Sequence, residues 1–176
     1  LAVVSDALQS LTSADLADAA LAKALLALNN AHAVELSWLE SERFTHLVEQ
    51  AFVARRVGVD ALLLTFDQAA DYDSPNYLWF RERYSRFVYV DRVVVSGAAR
   101  GRGLARKLYA DLFDAARAAG HQRIVCEVNS DPPNPASDAF HAQLGFAPVG
   151  TAAIHGGAKT VTYLMRELSE PDYPPA

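Results

Sequence analysis

The chain has 176 residues, 51% of them hydrophobic and 21% charged, with a formal net charge of −5. That length suits a single domain, residues 1–176, with most of its apolar surface buried on folding. No run of about 18 apolar residues suggests a membrane span, and the acidic balance argues against general nucleic-acid binding through phosphate neutralisation. The expectation is a soluble cytoplasmic protein without nucleic acid or membrane as partner. Its one cysteine, Cys126, excludes an internal disulfide and a multi-cysteine zinc site, and it reads as a buried strand residue rather than a nucleophile. LAVVSDALQS, at the start, lacks the basic residues and long apolar stretch of a signal peptide.

Residues 13–28, SADLADAALAKALLAL, place leucines at 16, 21, 25 and 28, a helical spacing that Ser13 or Asp15 would cap. NNAHAVELSW interrupts the pattern. SERFTHLVEQA, residues 41–51, resumes it with Phe44, Leu47 and Val48 on one face. AFVARRVGVD and ALLLTFDQ are β-prone runs joined around Gly58 and Asp60, the pattern of an antiparallel hairpin. Residues 67–86 hold turn residues, three tyrosines, Trp79 and Phe80 without a period, and read as a long functional loop.

FVYVDRVVV, residues 87–95, is a strand that runs into a glycine-rich turn. From Leu104 to Ala119 the apolar positions return at helical spacing, and Gly120 ends the run. RIVCEVN is a further strand, DPPNP a rigid loop and ASDAFHAQL a short helix stopped by Gly145. GFAPVGTAA and KTVTYLMREL form two last strands around a HGG turn. This order predicts an α+β fold, a mixed α/β domain around a largely antiparallel sheet with one parallel strand–helix–strand unit.

The turn in GAARGRGLARKLYADL, residues 97–112, has the makings of a phosphate cradle. A helix leaves its first N–H groups unpaired, its dipole adds positive potential there, and glycines at 101 and 103 admit a ligand close to the backbone. A dinucleotide fingerprint would need glycine where Arg106 stands, and a P-loop would need a Gly-Lys-Ser/Thr that is absent. A basic spot of Arg100, Arg102, Arg106 and Lys107 on an acidic body suits a small anion better than a polymer.

Arg100-Gly101-Arg102-Gly103-Leu104-Ala105 resembles the acyl-CoA-binding motif of the GNAT superfamily of N-acetyltransferases, and NPASDAFHAQLGF, residues 134–146, resembles a later segment of the same family. The resemblance implies an acyl-CoA N-acyltransferase fold with a partly splayed sheet, acetyl-CoA as cofactor, and no metal. It implies that the N–H groups of Arg102 to Ala105 hold the CoA pyrophosphate and that the pantetheine arm pairs with Val93 and Val95. Arg100 would rim that site, and Asn134 and Ser137 of the second matching segment would also bind the cofactor. Ser137 stands where alanine is usual, and His141 where many members carry the tyrosine that protonates the departing thiolate.

Acetyl transfer to an amine needs a neutral nucleophile, oxyanion stabilisation and a proton for sulfur. The resemblance implies a backbone N–H of Val94 or Val95 for the oxyanion. Glu127 is the expected base, with Asp91 as rival, and either carboxylate serves equally as a salt bridge or a solvated strand residue. His141 could act as the acid in place of tyrosine, or be a surface histidine. The acceptor site is expected from Asn29, Asn30, His32, Glu35, Ser37 and Trp38 with Tyr72, Asp73, Asn76, Tyr77 and Trp79, whose carboxylates and aromatic faces would suit an amine held as a cation. The expected acceptor is a small-molecule amine or a peptide N-terminus, a non-catalytic acyl-CoA-binding or sensor domain is the alternative, and a homodimer through terminal strands is left open.

Overall fold

In the computed structural model, which describes residues 5–169, runs of branched and aromatic residues form strands and leucine- and alanine-rich runs form helices. Residues 1–4, part of the stretch read against a signal peptide, and residues 170–176 lie outside the described residues. The helices are α1 (Ala19–Asn30), α2 (Ser41–Gln50), α3 (Pro75–Arg81), α4 (Leu104–Ala118) and α5 (Pro135–Gln143). The strands are β1 (Gln9–Ser10), β2 (Val53–Val57), β3 (Ala61–Asp67), β4 (Val88–Val95), β5 (Arg123–Asp131), β6 (Ala147–Ile154) and β7 (Lys159–Glu167). They are hydrogen-bonded in the order β1-β2-β3-β4-β5-β7-β6. The β1–β2, β2–β3, β5–β7 and β6–β7 ladders are antiparallel and β4–β5 is parallel, which gives the mixed, largely antiparallel sheet the sequence implies. Among the described residues no helix is long and apolar enough to cross a membrane.

The backbone divides into two compact units, one taking in residues up to Asp71 with Val90–Leu112, the other Tyr72–Tyr89 with the residues from Phe113 onward. In the first unit α1 and α2 both pack on β3. Leu62, Leu63, Leu64 and Phe66 of β3 are all fully buried. A strand covered on both faces needs a continuous apolar run instead of alternation, which ALLLTFD supplies. The hairpin closes as expected, with Val57 opposite Ala61.

The start of α1 differs from the expected one. Asp15 Oδ2 accepts from the Thr12 N–H (2.8 Å) and hydroxyl (2.9 Å), so its carboxylate is occupied locally and residues 15–17 form a 3-10 turn. Asp18 is the cap instead, its Oδ1 accepting from the N–H groups of Ala20 (3.0 Å) and Leu21 (3.2 Å).

In the second unit the segment read as a loop contains α3. Pro75 suits the first turn of a helix, and Tyr77 and Phe80 are fully buried. Trp79 stacks on Tyr163 of β7 with ring centroids 4.1 Å apart and planes at 20°, and the Arg83 guanidinium lies 3.9 Å over the tryptophan ring. Gly150 of β6 permits that stack, because a Cβ there would come within 2.5 Å of Trp79 Cζ2. The parallel β4–β5 ladder consists of Val88 opposite Ile124 and Tyr89 opposite Val125.

Gly150→Ala should therefore lower stability by about 1–3 kcal/mol through overpacking. Urea denaturation would read this, and a Trp79→Leu background should remove most of the penalty.

Candidate functional site

The glycine-rich turn has the geometry of an anion cradle. After β4 a 3-10 turn at Gly97–Ala99 leads to Gly101 (φ +80°) and Gly103 (φ +72°), both in the left-handed region that disfavours side chains. The α4 ladder opens with the Lys107 N–H on the Gly103 carbonyl at 3.1 Å, so the N–H groups of Leu104, Ala105 and Arg106 precede any partner one turn back. A Cβ built on either glycine meets nothing within 4 Å, so the space beside the loop is open. Leu104, 2% exposed, pins the helix start in the core.

The side chains around the loop are more engaged than the sequence suggests. Arg100 is exposed. Arg102 is ion-paired to Asp6 through Nη2 and to Asp60 through Nη1 (3.2 Å), and Lys107 Nζ donates to the Asp6 carbonyl at 2.7 Å. The hydrogen bond from Arg102 holds the Asp6 carboxyl below the usual carboxylate range. The expected open basic rim is thus balanced at Arg102 by two carboxylates.

In the same unit Asp91 is joined to the residues after α1 by Arg92, which sequence reasoning passed over. Arg92 Nε donates to Asp91 Oδ2 at 2.6 Å, Nη1 to Asn29 Oδ1 at 2.8 Å and Nη2 to Ser37 Oγ at 3.3 Å. The Asp91 and Arg92 side chains are 4% and 3% exposed, so Asp91 is the counter-ion of a buried guanidinium rather than a free carboxylate. Asn29 Nδ2 donates to the Ser37 carbonyl (3.0 Å), and Asn30 exchanges two 2.9 Å bonds with the Leu39 backbone. These amides fasten the segment that carries exposed Glu35 and Trp38, the latter 64% exposed with its indole N–H on Glu40. The His32 ring donates from Nδ1 to the Leu28 carbonyl at 3.0 Å.

The second unit places Glu127 in a hydrogen-bonded cluster. Its Oε1 accepts from Asn76 Nδ2 and from the Tyr89 hydroxyl, both at 3.0 Å. Tyr163, opposite Glu127 in the β5–β7 register, donates its hydroxyl to Asn76 Oδ1 at 2.9 Å. Burial, then the Glu127 charge, pushes the Tyr163 pKa up to about 12. Burial likewise raises the thiol of Cys126, a buried strand residue as expected. Tyr72 and Asp73 are half-buried and exposed respectively. Tyr77, expected to line the acceptor site, is instead a fully buried core ring against Tyr72, Phe87 and Tyr89.

His141 of α5 is buried rather than on the surface, with Phe140 and Phe146 edge-on to its ring. Its Nδ1 lies 2.8 Å from the Ser137 carbonyl, which can only accept, so that nitrogen carries the proton. Burial lowers its pKa, against the pull of the Ser137 carbonyl and Asp138, and this disfavours the imidazolium expected of an acid. Asn134 caps α5 through Oδ1 on the Ser137 N–H at 3.3 Å.

A family model described as "Acetyltransferase (GNAT) family" matches residues 76–146. The segment is GNAT, and so is the fold. The GNAT segment runs from Asn76 of α3 to Phe146 after α5 and contains the glycine loop, Glu127 and His141. Among similar solved structures, yncA from Salmonella typhimurium with its cofactor acetyl-CoA is 23% identical, with 97% of this chain and 98% of that chain covered and a TM-score of 0.66. Ribosomal-protein-alanine N-acetyltransferase from Brucella melitensis is 23% identical over 92% of this chain and 99% of that chain, TM-score 0.66. An acetyltransferase of GNAT family from Streptococcus pneumoniae is 15% identical over 93% and 99%, TM-score 0.64. No curated protein matches the sequence.

Two outcomes follow from the buried groups of this chain. Arg92→Met leaves the Asp91 carboxylate buried without its cation and should cost about 3–5 kcal/mol in chemical denaturation, whereas Asp91→Asn with Arg92→Met should recover part of that loss. His141 has a folded pKa below its ordinary 6.5, so the unfolded chain takes up its proton first as pH falls. The stability contribution is full above pH 6.5 and drains away as pH drops toward the folded value. Denaturation curves from about pH 7.5 to about pH 5 should show a shallower decline for His141→Gln than for wild type.

Proposed function

We propose that this protein transfers an acetyl group from acetyl-CoA to the primary amine of a small molecule or a peptide N-terminus. The observation that carries this reading is the open, glycine-bounded start of α4 inside the segment that matches the GNAT family. Backbone N–H groups from Arg102 to Ala105 fit a pyrophosphate there, because they are directional donors with no Cβ above Gly101 or Gly103. Bound acetyl-CoA supplies an activated thioester carbonyl. Val93 and Val95 present strand backbone to the pantetheine arm, and the N–H of Val94 or Val95 donates to the carbonyl oxygen as it gains charge.

Glu127 accepts the proton that an ammonium must lose before its nitrogen can attack. Asp91 is the weaker candidate, because its carboxylate already neutralises Arg92. The neutral nitrogen would form a bond to the carbonyl carbon as the carbon–sulfur bond breaks, and the sulfur, leaving with the bonding pair, would take up the proton that the nitrogen loses in becoming an amide. His141, buried with Nδ1–H on a backbone carbonyl, supports the helix start at Ser137. The candidates for receiving the amine are Asn30, His32, Glu35 and Trp38 in the first unit, on the segment fastened by Asn29 and Asn30, and Tyr72 and Asp73 in the second. The N-terminal and small amines are proposed together because relatives of similar fold include a ribosomal-protein-alanine N-acetyltransferase.

Calorimetry should show CoA binding, and Gly103→Val should weaken it at least about tenfold by placing a branched side chain on a left-handed residue beside the cradle. Mixing acetyl-CoA with a panel of amines and peptides should release free thiol with at least one of them. CoA binding without amine-dependent release would favour the non-catalytic acyl-CoA-binding domain instead.

A further inference from the structure

The Glu127 cluster has a direction built into it. The Tyr163 hydroxyl donates to the acceptor end of the Asn76 amide at 2.9 Å, and burial keeps that proton on the phenol through the neutral range. That turns the amide's NH2 toward Glu127, where it can only donate. Tyr89 gives a second donor to the same oxygen from β4. Asn76 itself is 9% exposed, which favours satisfied pairing over exchange with water. The groups arrayed on Glu127 are thus Asn76 from α3, Tyr89 from β4 and Tyr163 from β7, with Cys126 beside it in β5 and the Arg83 charge acting on Tyr163.

We infer that Asn76, oriented by Tyr163, is a positioning residue that holds the Glu127 carboxyl and keeps it ionised. Donors to a carboxylate favour its charged form, and the two observed donors both occupy Oε1. The Trp79 stack fixes the helix from which Asn76 reaches. This inference rests on Glu127 being the proton acceptor proposed above.

The test follows kcat/KM against pH for wild type, Asn76→Leu, Tyr163→Phe and Glu127→Gln, using acetyl-CoA and the best amine of the panel. In parallel, carbon-13 NMR follows the side-chain carboxyl of Glu127, assigned by its loss in Glu127→Gln. Asn76→Leu should move both the acidic limb of the rate profile and the carboxyl titration up by about one pH unit. Tyr163→Phe, which removes only a hydroxyl, should move both in the same direction by less, and it serves if Asn76→Leu does not fold. Unchanged titration in these variants, or a shifted titration with an unshifted rate profile, overturns the positioning role. A wild-type enzyme that releases no thiol with any amine instead overturns the acyltransfer reading, and the positioning role with it.

Discussion

The stack of Trp79 on Tyr163 is what makes α3 a helix in a fixed place. Seven residues are too few to hold a helix in water, because nucleation costs more than so short a ladder returns. The aromatic face supplies the missing stability, with Tyr77 and Phe80 buried beneath it and Gly150 leaving room for the indole. From that anchorage Asn76 reaches Glu127 at the first turn of the helix. Sequence, packing and the state of one carboxylate are linked through a contact with no charge of its own.

The first unit solves a related problem with charge. Arg92 lies in a β-branched strand, where a buried guanidinium requires both a counter-ion and acceptors for its remaining N–H groups. Asp91, Asn29 and Ser37 meet that requirement, and the residues between Asn29 and Leu39 are fixed as a by-product. A segment without regular secondary structure thereby gains a defined path, while Trp38 stays exposed on it.

Much of this was legible in the sequence, for identifiable reasons. The glycine loop, the α4 helix and the β2–β3 hairpin announce themselves through local chemistry: glycines at left-handed positions, leucines at helical spacing, a turn between β-prone runs. The sequence names Glu127 as the expected base, but its partners Tyr89 and Tyr163 follow only from the register of β5 with its two neighbours. The α3 helix was hidden because its short aromatic run carries no period, and the true cap of α1 because Thr12 competes for Asp15. Arg92 read as one charge among strand residues; its burial is a property of what surrounds the strand, which local pattern does not encode. For His141 the sequence leaves an acid and a surface histidine both open, and the burial of its ring between phenylalanines is again a property of the surroundings.

The acidic company of Arg102 changes what kind of selectivity the loop before α4 can exert. With Asp6 and Asp60 sharing its guanidinium, that corner offers little uncompensated charge from this side chain. An anion at the proposed cradle would meet, besides the remaining cations, backbone dipoles that are fixed in direction and cannot rotate away. Recognition of that sort discriminates by the angular arrangement of oxygens rather than by total valence, and it is less sensitive to ionic strength than a cluster of mobile cations would be.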